Sequence, residues 1–178
     1  YYEKNRRICK KYPGLSRARD YFSVMLPGPQ DADGLQLAVD SMQDCLEGVE
    51  FDVITGLESR GFIFGMPIAY NLHKPFVLVR KAGKLPCETV SRTYDLEYGS
   101  ATIEMHKDSI KPGQRVVIVD DFDRYGGSVE AAIKLVEELG GVVVKVVFLM
   151  ELAGLKDVSV SKVMIGICDL LRRKMIFC

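Results

Sequence analysis

Two adjacent carboxylates, Asp120 and Asp121, close the apolar run of residues 116–119. A short loop, Phe122-Asp123-Arg124-Tyr125, leads from them into Gly126-Gly127-Ser128, where a helical pattern begins. Paired glycines let backbone N–H groups approach an anion closely, and a helix start adds unsatisfied donors and a positive dipole end. Carboxylates just upstream would repel a bare phosphate, yet they accept hydrogen bonds from the cis-diol of a sugar. Amides for a phosphate and acids for hydroxyls describe a ribose 5-phosphate site. The plainer alternative is a strand-to-helix turn with solvated acids. A second set of candidates is basic: Arg80, Lys81 and Lys84, with Arg60 upstream. Such a short basic run is ordinarily a solvated loop. Glu97, taken alone, reads as a hairpin-turn acid. His73 and His106 have no partners at metal-ligand spacing, so no protein-held metal is expected. Cys87 lies in the basic stretch, but no neighbour marks it as a nucleophile.

The elements that must position these residues follow from periodicity. Residues 51–57, 75–79, 115–119 and 142–150 are apolar, β-branched runs, and most are nearly continuous, as in strands buried on both faces of a parallel sheet. Helical spacing appears in residues 35–46, with Leu35, Val39, Met42 and Leu46 on one face. Residues 61–72 form a second helical candidate, with Gly65 and Pro67 against it. Residues 128–139 give the clearest pattern: Val129, Ala132, Ile133, Val136 and Leu139 share a side, Glu130 and Lys134 pair on the other, and Gly140-Gly141 ends it. This alternation predicts an α/β sandwich around a mainly parallel sheet. Residues 91–107 predict two short strands around Glu97-Tyr98-Gly99, a hairpin or flap beside that sheet. The segment through Pro29 is rich in turn formers, carries no convincing strand and is expected to cap the edge or mouth of the sheet.

The chain has 178 residues, with 24 Lys+Arg balanced by 24 Asp+Glu. One domain over residues 1–178 is expected, and a domain of this size buries roughly 70% of its unfolded surface. Zero net charge supplies no field toward nucleic acid or an anionic membrane. The cluster Lys4, Arg6, Arg7, Lys10 and Lys11 reads as a solvated helix face. Residues 142–150, the longest apolar stretch, are interrupted by Lys145 and are far short of a membrane span. The first twelve residues, YYEKNRRICKKY, lack the apolar core of a signal peptide. Five scattered cysteines without a CxxC pair read as free thiols in a reducing, cytoplasmic compartment.

The acidic pair with its Gly-Gly-Ser loop resembles the signature of the type I phosphoribosyltransferases. Gly56-Leu57-Glu58-Ser59-Arg60-Gly61-Phe62, Val79-Arg80-Lys81-Ala82-Gly83-Lys84-Leu85-Pro86 and Tyr94-Asp95-Leu96-Glu97-Tyr98-Gly99 resemble the adenine-specific branch, in the same order and at similar spacing. Glu151-Leu152 and Leu155-Lys156 continue the likeness, which is dense from Asp52 to Lys156 and loose at the ends. The resemblance implies a twisted, mainly parallel sheet flanked by helices, with a small hood that includes an N-terminal segment of about residues 1–30. It implies reversible conversion of adenine and phosphoribosyl pyrophosphate into AMP and pyrophosphate, with Mg²⁺ carried on the pyrophosphate. By residue, it implies that Asp120 and Asp121 hold the ribose hydroxyls, and Arg124, Tyr125, Gly126, Gly127 and Ser128 the 5-phosphate. Arg60, Arg80, Lys81 and Lys84 would face the pyrophosphate. Glu97 would handle the purine proton with Tyr98 beside it, and Arg19 and Leu152 would bind the base. A homodimer is implied as well, because in this family the basic loop comes partly from the neighbouring subunit.

Two segments depart from the family pattern. Phe122, Asp123, Arg124 and Tyr125 stand where the family carries leucine, leucine, alanine and threonine. Backbone donors survive these changes, so the phosphate cradle is expected to persist with Asp123 turned outward; the alternative is an Asp123–Arg124 pair that closes the site. The N-terminal run Arg17-Ala18-Arg19-Asp20 replaces an aromatic with Ala18, and a shifted register would put Phe22 there instead. These departures motivate two rival readings: a catalytically weak or inactive paralogue that binds nucleotide, and a phosphoribosyltransferase for another purine. Glu97 within Leu-Glu-Tyr-Gly speaks against the latter.

Overall fold

The structure, a computed structural model, describes residues 32–96, 99–123, 127–151 and 164–167. Helix α1 (Ala32–Asp44) leads into strand β1 (Val53–Leu57), helix α2 (Arg60–Asn71) and strand β2 (Phe76–Lys81). The hairpin β3 (Thr89–Asp95) and β4 (Ser100–His106) follows, then β5 (Arg115–Asp123), helix α3 (Gly127–Glu138), β6 (Val142–Glu151) and β7 (Met164–Ile167). Among the described residues, seven strands form one sheet in the order β3-β4-β2-β1-β5-β6-β7. β1 pairs in parallel with β2 and β5, and the parallel run continues through β6 to β7.

Both faces of the parallel strands are covered, which accounts for their continuous apolar sequence. Along β5 the side chains alternate. Val117 and Val119 pack with Met42, Phe64 and Ile68 of α1 and α2, whereas Val116 and Ile118 pack with Val129, Ile133 and Val136 of α3. The expected α/β sandwich is therefore present, in three layers.

Several boundaries differ from the sequence expectation. β5 does not stop at residue 119: its ladder continues through Asp120↔Phe148, Phe122↔Met150 and Asp123↔Glu151, because β6 supplies partner backbone irrespective of side-chain polarity. Helix α1 begins and ends earlier than residues 35–46, although Leu46 is still buried beyond its end. Gly65 and Pro67 do not break α2; burial of Phe64, Ile68 and Ala69 outweighs their poor propensity. At Gly65 a Cβ would lie 2.6 Å from the Phe76 ring, so the glycine permits close helix–sheet packing. The hairpin is part of the main sheet and does not stand beside it, since β4 pairs antiparallel with β2 through Arg80↔Glu104 and Lys81↔Ile103. β7 was not expected; four residues containing a glycine are too short to show a period. The expected N-terminal cap lies outside the described residues.

Candidate active site

The carboxyl ends of β1, β2, β5 and β6 share one edge of the sheet, since β1 is parallel to β2 and β5, and β5 to β6. From β1 the chain passes through α2 to β2 on one side, and from β5 through α3 to β6 on the other. The boundary between β1 and β5 is thus the topological switch point, where open α/β sheets bind ligands. Asp120 and Asp121 lie on β5 at this boundary, against the start of α2.

Both carboxylates are buried, with Asp120 8% and Asp121 3% exposed. Arg60, the first residue of α2, places its Nε 2.7 Å from Asp121 Oδ2. Asp120 Oδ1 accepts the Asp121 N–H at 2.9 Å. Burial pushes the Asp120 carboxyl well above its ordinary range, and the neighbouring Asp121 charge adds to the effect. Burial also raises Asp121, with the Arg60 guanidinium opposing it. The close approach of α2 depends on Gly61, where a Cβ would meet the Val119 carbonyl oxygen at 2.6 Å and Asp120 Oδ1 at 3.1 Å.

The start of α3 is bounded by the hairpin. A Cβ at Gly127 would lie 3.2 Å from the Tyr94 ring and 3.3 Å from the Asp95 carbonyl oxygen. At the other end of α3, Glu138 pairs with Arg92 of β3 at 2.7 Å. The hairpin turn is closed by the Leu96 N–H donating to the Gly99 carbonyl at 2.9 Å. The candidate proton-handling acid Glu97 lies in sequence between Leu96 and Gly99, outside the described residues.

The basic residues are held by acids. Arg80 and Lys81 end β2; they are not loop residues, because they pair with Glu104 and Ile103 of β4. Arg80 donates Nε and Nη2 to Glu58 at 3.1 and 3.4 Å, and Nη1 to the Lys84 carbonyl at 3.1 Å. Glu58 also accepts the Lys81 N–H at 3.1 Å. Burial opposes the Glu58 charge, but Arg80 and the Lys81 amide outweigh it and hold the carboxyl below its ordinary value. The side chains of Lys81 and Lys84 are exposed. Glu58 had no role in the sequence reading; its one signal is an acid directly following a buried strand, with a basic segment next in order.

The structure therefore brings Asp120, Asp121 and Arg60 together, sets Gly127 and Ser128 at the head of α3, and gathers Arg80, Lys81 and Lys84 at the end of β2. Arg19, Glu97, Tyr98, Arg124, Tyr125, Gly126 and Leu152 lie outside the described residues. Among the described residues, no three His, Cys, Asp or Glu side chains gather where they could hold a metal ion.

An acidic pair at the switch point, a glycine-serine helix start beside it and a basic strand end define a phosphoribosyl-binding α/β domain. The sequence profile described as phosphoribosyl transferase domain matches residues 35–169, and the chain belongs to that family. Among its relatives is the adenine phosphoribosyltransferase of Agathobacter rectalis, 72% identical over 137 residues that cover 77% of this chain and 76% of that protein. That of Butyrivibrio fibrisolvens is 61% identical over 164 residues, covering 92% and 88%. Among solved structures, adenine phosphoribosyltransferase from Saccharomyces cerevisiae, complexed with D-2,5-dideoxy-2,5-imino-altritol 1,6-bisphosphate and adenine, is similar with a TM-score of 0.74. It is 41% identical, and the match covers 80% of this chain and 84% of that one.

Proposed function

We propose that this chain transfers the phosphoribosyl group of phosphoribosyl pyrophosphate to adenine, giving AMP and pyrophosphate, a reaction of purine salvage. The observation that carries this reading is the buried Asp120-Asp121 pair at the switch point, with the Gly127-Ser128 helix start following on β5. High identity to adenine phosphoribosyltransferases supports adenine as the base and disfavours both the inactive-paralogue reading and a different purine.

In the reaction the bond from ribose C1 to the pyrophosphate oxygen breaks, and its electron pair leaves with pyrophosphate. The purine nitrogen forms the new bond to C1 and loses its proton. Asp120 and Asp121 accept hydrogen bonds from the ribose hydroxyls and keep negative charge near the electron-poor sugar. Amides from Gly126 to Ser128, aided by Arg124 and Tyr125, receive the 5-phosphate. Arg60, Arg80, Lys81 and Lys84 stabilise charge on the departing pyrophosphate. Glu97 takes the purine proton, with Tyr98 assigned to the same step, and Arg19 and Leu152 are assigned to the base. Asp120 and Asp121 are hard oxygen donors of the kind Mg²⁺ accepts when phosphates and water supply its other ligands. Mg²⁺ carried on pyrophosphate would neutralise part of the leaving-group charge.

We read residues 1–178 as one domain with a hood at about residues 1–30. We also read the chain as a homodimer. Ile63, Met66 and Tyr70 leave an exposed apolar stripe along α2 at helical spacing, with Tyr70 85% exposed, and a second copy is the occupant we assign to it. We read the compartment as cytoplasmic, and no helix among the described residues is long and apolar enough to cross a membrane.

A pyrophosphate-release assay on the wild type and Glu97→Gln tests the chemistry. Release should require adenine, phosphoribosyl pyrophosphate and Mg²⁺ together, and Glu97→Gln should lower turnover by about 10²–10⁴. Unchanged turnover in the variant would remove Glu97 from the mechanism.

A further inference from the structure

Glu104 is the buried acid that the chemistry above does not use. It lies on β4 opposite Arg80 and is only 6% exposed. Its Oε1 accepts the backbone N–H groups of Lys84 and Leu85 at 2.9 and 3.0 Å. Burial opposes its charge, but the amides of Leu85, Gly83 and Lys84 and the Thr89 side chain outweigh that and hold the carboxyl below its ordinary value. The Lys84 carbonyl is meanwhile held by Arg80 Nη1 at 3.1 Å, and the same guanidinium is anchored on Glu58. The residue is thus gripped at both its N–H and its carbonyl by side chains from β4 and β2. Two residues earlier, the Ala82 N–H donates to the Thr102 carbonyl at 3.0 Å, which ties the turn to β4 a second time. The Lys84 side chain leaves this frame for solvent.

We propose that Glu104 is a positioning residue that fixes the Lys81–Leu85 turn, so that the Lys84 ammonium is presented to the pyrophosphate of the substrate. A lysine on a flexible stem loses less entropy on meeting its anion when its backbone is already fixed. A buried carboxylate gathering successive amides is an expensive way to close a surface turn, since water could satisfy the same donors. The arrangement gains its purpose if the turn must hold one geometry against a highly charged ligand. This inference rests on the assignment of Lys84 to pyrophosphate.

Steady-state kinetics on Glu104→Gln, Lys84→Ala and the double variant test it, with AMP affinity measured by calorimetry. Loss of a charge-assisted hydrogen bond predicts that Glu104→Gln raises KM for phosphoribosyl pyrophosphate about tenfold or more, leaving adenine KM and AMP affinity within about twofold. The double variant should be no worse for phosphoribosyl pyrophosphate than Lys84→Ala, because Glu104 acts through Lys84. Full additivity, a wild-type KM in Glu104→Gln, or equal losses for AMP and phosphoribosyl pyrophosphate would overturn the proposal. A wild-type KM in Lys84→Ala would overturn the pyrophosphate assignment and the proposal with it. Should Glu104→Gln not fold, Thr89→Val removes one donor to the same carboxylate and should give a smaller shift, again confined to phosphoribosyl pyrophosphate; equal shifts for AMP would overturn the proposal.

Discussion

Asp120 and Asp121 place two carboxylates where burial disfavours both charges, with the Arg60 guanidinium 2.7 Å from Asp121. Such a pair is poor for stability and suited to accepting hydrogen bonds from a polyol that arrives with its own donors. The two demands separate in Asp120→Asn. The folded carboxyl is raised, so it favours the fold below the ordinary Asp range, and that contribution is lost as pH rises through the folded value. At neutral pH the variant should therefore melt higher than the wild type, with the difference shrinking as pH falls toward about 4. AMP binding should weaken by about 1.5–3 kcal/mol, read by calorimetry, because a charge-assisted bond to a ribose hydroxyl is lost. A variant that is both less stable at neutral pH and unchanged in AMP affinity would contradict the ribose role. The acidic pair was legible in sequence because it interrupts an apolar run directly before a glycine-rich helix start. Its partnership with Arg60 was not legible, since a contact spanning from α2 to β5 depends on which strand lies next to β1.

At the scale of elements, the three-layer sandwich was readable because strands buried on both faces must be apolar almost throughout. The extent of β5 beyond residue 119 was not readable, for backbone pairing with β6 carries no side-chain signature. The hairpin's place in the main sheet was likewise hidden, because two cross-strand pairs to β2 are enough to attach it. The end of the sheet opposite the site has its own clamp. Asp52 receives the Arg115 N–H at 2.9 Å and its guanidinium at 2.9 and 3.2 Å, which ties the chain entering β1 to the start of β5. The Arg115 side chain and N–H lower the Asp52 pKa to about 2, and Arg115 is raised in return. A depressed carboxyl stabilises the fold above its ordinary value of 3.8, and that contribution is lost as pH falls toward about 2. Asp52→Asn should lower the melting temperature at pH 7, and the gap to wild type should close as acid protonates the native Asp52. Calorimetric melting across this range checks it, and a gap independent of pH would assign the loss to packing.

For the whole molecule, the exposed stripe of Ile63, Met66 and Tyr70 on α2 lies on the helix that begins with Arg60, so a second copy seated there would adjoin the site. If the proposed dimer forms through this stripe, Met66→Glu combined with Tyr70→Glu should give a monomer by light scattering and sharply reduced turnover. A fully active monomer would contradict the dimer. The central claim is the reaction itself, and product identification with radiolabelled bases tests it most directly. With phosphoribosyl pyrophosphate and Mg²⁺, labelled adenine should appear as AMP in step with pyrophosphate release, while hypoxanthine, guanine and xanthine should remain unconverted. Failure to form AMP from adenine, or preferential conversion of one of the other purines, would contradict the account.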